Sequence, residues 1–133
     1  MEITKKSTKF KIVGKISERW FPMNYKSWEK YTFEILDYFS KGDRQTYIDI
    51  GSWIGPTVLY ASSKFEKVVA IEPDPVALKE LEGNIAVNNF SNISVVGKAL
   101  STKDGKTSFG GHGMLGNSES TMLVDTDKYM ERS

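Results

Sequence analysis

The sequence predicts an α/β fold: a doubly wound parallel sheet followed by a β-hairpin-like excursion. Three observations carry the prediction. "TYIDIG" (46–51) and "KVVAIEP" (67–73) are short apolar runs of the kind that form buried strands. Each leads into a segment of helical periodicity opened by a proline, Pro56 after Gly55 and Pro75 after Asp74. A third run, "ISVVGKAL" (93–100), completes a β-α-β-α-β alternation, which implies parallel strands, right-handed crossovers and helices on both faces.

The elements follow in order. Residues 1–25 mix charge with the aromatic cluster "ERWFPMNY" around Pro22. Lys5, Lys6, Lys9, Lys11 and Lys15 read as a solvated basic face. Residues 27–40 place Trp28, Tyr31, Ile35 and Tyr38 or Phe39 at helical spacing, which predicts an amphipathic helix ending near Gly42. The strand at 46–51 runs into a helix from Pro56 to about Ser63. After the strand at 67–73, Asp74 is placed to cap the next helix, with Leu78, Leu81 and Ile85 as its buried stripe. Beyond residue 100 a turn at Asp104–Gly105, a short strand, a glycine-rich loop and a strand at 121–124 are expected. The chain divides into an N-terminal segment and helix (1–44), a βαβαβ core (45–100) and an extension (101–133), all in one domain.

Composition narrows the function classes. Over 133 residues, 39% hydrophobic and 26% charged content fits a folded globular chain. The net charge of +1 offers no electrostatic reason to expect nucleic acid or an acidic membrane as partner. No apolar run reaches about 18 residues, and "MEITKKSTKFKIVGK" has no apolar secretory core, so a cytoplasmic location is expected. With no cysteine and one histidine, His112, no metal site is expected.

The turn after the first core strand carries the chemistry. In such sheets ligands bind beyond the carboxyl ends of the strands. Gly51 permits unusual backbone angles and close ligand approach, and Gly55 lets the helix begin tight against the strand. Asp49 is placed to accept from a cationic amine. Glu72, at the next strand end, is placed to take both hydroxyls of a ribose. A glycine pair four apart is by itself an ordinary tight turn, and Glu72 by itself a strand terminus. Together they form strand, D-x-G-x-x-x-G, helix, strand, E-P-D-P, helix. A dinucleotide site wants G-x-G-x-x-G, but Trp53 stands where the middle glycine belongs. Asp49 would also repel a pyrophosphate, which favours S-adenosylmethionine over NAD.

At these residues a family resemblance becomes specific. "YIDIGSWIGPTVLYAS", "VVAIEPDPVALKELEGNIAVNN" and "ISVVGKALSTKDGKTSF" resemble successive motifs of class I S-adenosylmethionine-dependent methyltransferases, Rossmann-like enzymes, and most closely the FkbM type. The resemblance covers about residues 45–110. It implies that Asp49, Gly51, Ser52 and Gly55 line the methionine part of the cofactor and that Glu72 holds the ribose. Pro73 and Asp74 would border the adenine, with Lys98 and Ala99 at its edge; Lys98 departs from the acid many class I enzymes carry there. It further implies O-methylation of a small-molecule acceptor; with the near-neutral charge and no apolar span, neither nucleic acid nor membrane is expected as a partner. The family sheet has seven strands ordered 3-2-1-4-5-7-6, so the resemblance implies a chain truncated after the third core strand. The exposed edge of the first strand would then be covered by the late hairpin, by a homodimer partner, or by nothing if the chain is a fragment.

Acceptor-side candidates are few. His112, in "GGHGML", is a candidate general base against the plainer reading of a loop histidine. Trp20, Phe21 and Tyr25 form either a lid over the cofactor or the packing of the first helix. Trp53 either stacks beside the ligand or plugs the space beneath it. Two rival readings stand: a non-catalytic binding or assembly module of the same fold, and an NAD-dependent oxidoreductase domain.

Overall fold

The computed structural model describes residues 1–43, 45–106, 108–110, 115, 116, 118 and 121–123. In chain order its elements are β1 (Glu2–Lys5), β2 (Thr8–Lys11), α1 (Lys15–Asn24), α2 (Lys30–Ser40), β3 (Thr46–Ile50), α3 (Pro56–Ala61), β4 (Lys67–Ile71), α4 (Pro75–Val87), β5 (Ile93–Val96), β6 (Ser108–Gly110) and β7 (Thr121–Leu123).

Strands β3, β4 and β5 form the expected parallel sheet in that spatial order, with Thr46 beside Lys67 and Val68 beside Ile93. Alternation puts Tyr47, Asp49, Val68, Ala70, Ile93 and Val95 on one face. There they meet Val58 and Ala61 of α3 and Leu81 of α4. On the other face Ile48 is 57% and Ile50 66% exposed. The sequence predicts helices on both faces; among the described residues they cover only one. The reason is topological: two right-handed crossovers stepping in the same direction, β3 to β4 to β5, must both lie on the same side. Strands β6 and β7 pair with each other in a separate antiparallel sheet. Neither pairs with β3, whose outer edge has no partner strand among the described residues.

The N-terminal segment holds more structure than its composition suggested. β1 and β2 form an antiparallel hairpin that turns at Lys6, with Ile3 opposite Phe10. Both are buried with Phe21 of α1 and Tyr25 at its C-cap, Phe33 and Leu36 of α2, and Leu59 and Tyr60 of α3. Lys5, expected on a solvated face, is buried at 5% exposure. Its ammonium donates to the carbonyls of Tyr25 and Trp28 at 2.7 Å each and lies over the Phe33 ring at 4.2 Å. It thereby satisfies carbonyls orphaned where α1 ends, a role that a charge count cannot reveal.

Helix α2 presents the face opposite to the expected one. Phe33, Leu36 and Ser40 are buried, whereas Tyr31, Ile35, Tyr38 and Phe39 are more than half exposed. Both faces carry apolar residues, so periodicity alone was ambiguous. The contacts that choose are specific: Phe33 packs edge-on against Tyr25 and Tyr60, and the Tyr60 hydroxyl donates to Asp37 at 2.6 Å.

Helix α4 joins the two halves through a polar ladder. Asp74 caps it as expected, accepting from the amides of Val76 and Ala77. Leu81 is fully buried with Leu78 and Ile85 packed against the same core cluster, as expected, and polar residues line the adjacent face. Glu80 accepts from the amides of Ile16 and Ser17, the first turn of α1, at 2.9 and 2.7 Å. Asn84, fully buried, accepts from the amide of Val13 and donates to Ile54 O and Ser17 Oγ. Asn88 holds both backbone groups of Lys11 at 2.7 Å. Positions 80, 84 and 88 share one helix face, so one stripe clamps the whole β2–α1 connection.

Candidate functional site

At the carboxyl end of β3 the chain makes a turn that ordinary residues resist. Gly51 has φ +79° and Gly55 φ +94°, and between them Trp53 sits at φ +51°, a left-handed conformation rare for a large side chain. The turn is held from both sides. The amides of Gly51 and Ser52 donate to Ile71 O on β4, and Gly55 N–H donates to Ser52 O at 2.9 Å. The Ser52 hydroxyl bonds back to Asp49 O. The two glycines serve different ends. A Cβ on Gly55 would lie 2.7 Å from Leu81 Cδ1, so the small residue is needed for α3 to approach α4. A Cβ on Gly51 would meet nothing within 4 Å, so that position faces open space at the mouth of the sheet.

Glu72 lies beside this opening, 5% exposed, one residue past the end of β4. Its Oε2 accepts from Trp53 N at 2.6 Å and its Oε1 from Asp74 N at 2.8 Å. A carboxylate with two oxygens keeps acceptor capacity beyond these two bonds. Burial raises the Glu72 pKa, the two amides pull it down, and the charges of Asp74 and Asp49 raise it further; the net direction is up. Asp49 is also raised, by burial above all, although Thr57 and Tyr47 bond to its carboxylate. Asp49 shares the helix-covered face with Tyr47, whose own hydroxyl is pushed up to about 12 by burial and by the Asp49 charge. Asp49 therefore turns toward α3, and the sequence-based picture of a carboxylate free to meet a ligand's amine does not fit that orientation.

The indole of Trp53 is held by two distant partners. It packs edge-on against Trp20, ring centroids 5.0 Å apart, and donates to Gly116 O at 2.7 Å. Gly116 in turn donates its amide to Asp74 Oδ2. Trp53, Gly116, Asp74 and Glu72 thus close a hydrogen-bonded ring around the strand ends. Phe21 and Tyr25 are 1% exposed and pack α1 against the hairpin, α2 and α3; they form no lid. Pro73 is half-buried, and beyond the carboxyl end of β5, the same end of the parallel sheet as Glu72, Lys98 is exposed and Ala99 half-buried. Among the described residues no cluster of acids or histidines suited to a metal exists. His112 lies outside the described residues.

Sequence reasoning missed Trp53's link to Gly116 and the ladder Glu80, Asn84 and Asn88. The latter left a trace, three polar residues at four-residue spacing along α4 and its C-cap. The former left none, since it joins residues far apart in sequence.

No known protein-family profile matches the chain. Two curated proteins do. Over 62 residues, 47% of this chain, it is 34% identical to a probable ribosomal RNA small subunit methyltransferase A of Methanosphaera stadtmanae. Over 76 residues, 57% of this chain, it is 33% identical to an uncharacterized RNA methyltransferase of Clostridium acetobutylicum. The likeness is to methyltransferases. The matched stretches span 23% and 17% of those relatives, about a fifth of their length. The crystal structure of wild-type Trm5b from Pyrococcus abyssi matches 47% of this chain and 19% of its own, at 26% identity and a TM-score of 0.39. Neither curated relative bears an FkbM name. Both are named for RNA, and this overturns the expectation of a small-molecule acceptor without nucleic acid. A net charge near zero was a poor ground for that exclusion, because charge summed over a chain hides its distribution.

Proposed function

We propose that this chain carries the S-adenosylmethionine-binding unit of a methyltransferase whose acceptor is RNA. The observation that supports it most is the open space over Gly51 beside the buried carboxylate of Glu72, at the carboxyl ends of adjacent parallel strands. The residues present fit that cofactor: a side-chain-free floor at Gly51, spare acceptor capacity on Glu72, and apolar edges at Pro73 and Ala99. When bound, S-adenosylmethionine supplies the methyl group as part of a sulfonium cation.

The chain's own residues bind and orient. Glu72 accepts from the ribose hydroxyls while its amide bonds to Trp53 and Asp74 hold the carboxylate in place. Gly51 and Ser52 border the methionine part, and Gly55 keeps α3 close behind them. Asp49, through Thr57 and Tyr47, fixes the start of α3 against the strand end and adds negative charge favourable to a nearby cation. Pro73 and Asp74 border the adenine, with Lys98 and Ala99 along its edge. Trp53 and Trp20 exclude water from one wall, which strengthens the electrostatic contacts inside. RNA as the acceptor class is supported by the names of both curated relatives.

Calorimetric titration tests the reading. S-adenosylhomocysteine is expected to bind and NAD not to, and Glu72→Ala is expected to weaken the former at least about tenfold, the equivalent of about 1.4 kcal/mol. Absence of S-adenosylhomocysteine binding, or equal binding by the Ala variant, would remove the cofactor assignment.

A further inference from the structure

We propose that the outward face of the β1–β2 hairpin, centred on Lys9 and Lys11, docks the phosphate backbone of RNA. The proposal rests on the RNA reading of the acceptor above and adds where on this chain the RNA lies.

Charge is unevenly distributed. Residues 1–26 hold seven basic and two acidic residues, net +5, whereas the remaining 107 hold 11 basic and 15 acidic, net −4. The near-neutral total conceals a basic N-terminal segment attached to an acidic core, the distribution that guides a polyanion to one side of a protein.

The hairpin then sorts its lysines. Strand alternation sends Ile3, Lys5 and Phe10 inward, where all three are buried. Lys5 spends its protons on backbone carbonyls, and Lys6 pairs with Asp37. Thr4, Lys9 and Lys11 face outward and are exposed. Lys9 stands opposite Thr4, and Lys11 opposite Glu2. Neither ammonium forms an ion pair among the described residues. Two positions apart on one strand face, the lysines are spaced about 7 Å, comparable to successive phosphates along a nucleic-acid strand. Exposed Lys15 and Arg19, at i and i+4 on α1, continue the basic segment.

The face is also rigidly tied to the crevice. Asn88, the C-cap of α4, grips both the N–H and the carbonyl of Lys11, and Asp74 caps the other end of that helix beside Glu72, about 21 Å along its axis. RNA held on Lys9 and Lys11 would therefore sit in a fixed relation to the cofactor site.

The test uses the full chain with a fluorescently labelled RNA hairpin bearing single-stranded tails, read by anisotropy over a range of salt. The variant K9Q/K11Q is compared with K41Q/K67Q, which removes the same charge from exposed positions elsewhere. S-adenosylhomocysteine calorimetry reports on the crevice in each, and circular dichroism on folding. K9Q/K11Q should lose at least about tenfold in RNA affinity and lower the salt slope by roughly 1.5, at about 0.7–0.9 per phosphate contact. It should keep wild-type S-adenosylhomocysteine affinity, and K41Q/K67Q should keep RNA binding. Equal RNA affinity in both variants overturns the hairpin surface while leaving the RNA reading intact. A wild-type chain that binds S-adenosylhomocysteine but no RNA overturns the RNA reading and the surface with it. Binding to vesicles containing phosphatidylserine, with none to RNA, reassigns the basic face to a membrane and likewise overturns the proposal.

Discussion

The backbone amide of Trp53 donates to Glu72 Oε2 at 2.6 Å, so the carboxylate that closes β4 also holds the left-handed residue in the turn after β3. Glu72 thus serves the backbone in any state of the site. Glu72→Gln, which keeps one acceptor oxygen, should cost less stability than Glu72→Ala, which strands the buried amide of Asp74 and the partly buried amide of Trp53. Each lost partner is worth about 1–3 kcal/mol. Urea denaturation of both variants measures the difference, and equal stability would show that these bonds are not what holds the turn.

The two turn glycines should separate under substitution. Gly55→Ala meets both a positive φ and Leu81 Cδ1 at 2.7 Å, and should destabilise the fold by about 2 kcal/mol or more. Gly51→Ala meets only the positive φ and should cost about 1 kcal/mol. Its methyl group would instead enter the open space, so Gly51→Ala should lose S-adenosylhomocysteine affinity out of proportion to its stability. Denaturation and calorimetry on the same pair decide the matter.

Asn84→Leu would test the ladder on α4. Asn84 is fully buried and answers the amide of Val13, the carbonyl of Ile54 and the hydroxyl of Ser17. Replacing it leaves buried backbone groups without partners, for an expected loss of about 3 kcal/mol. Hydrogen exchange should show the loss first at the amides of Val13, Ile16 and Ser17. Protection unchanged there would mean that the hairpin and α1 are held by their aromatic packing alone.

The pH dependence of Asp49 has a definite sign. Burial raises its pKa, so the folded state holds its proton more tightly than the unfolded chain does. Such a group is neutral in its effect below the carboxylate range and lowers stability as pH rises through it. Asp49→Asn should therefore be more stable than wild type at about pH 7, with the gain shrinking toward about pH 4. Thermal melts at the two pH values test this; a gain larger at the acidic value would reverse the assignment.

Much of the fold was legible because it is written in local backbone chemistry. Asp74 followed by Pro75 caps and starts α4, and Gly55 followed by Pro56 starts α3. The β-branched run at 67–71 needs no partner to be read as a strand. The candidate site was legible in position for the same reason: Gly51 and Glu72 directly follow β3 and β4, and Gly55 precedes α3. Asp49 was placed on the right strand but given the wrong surroundings, since Thr57 and Tyr47 meet it only once α3 has packed on the sheet.

By itself, then, the amino-acid order determined the parallel βαβαβ unit, its glycine turn and the two carboxylates at its strand ends. These follow from φ preferences, proline's missing N–H and side-chain alternation, all of which act within a few residues. Tertiary structure alone decided which face of α2 is buried, that Lys5 is sequestered while Lys9 and Lys11 face water, and that Trp53 reaches Gly116. Each of these depends on which distant group supplies the partner for a buried polar or aromatic surface, and that partner exists only when the chain has folded.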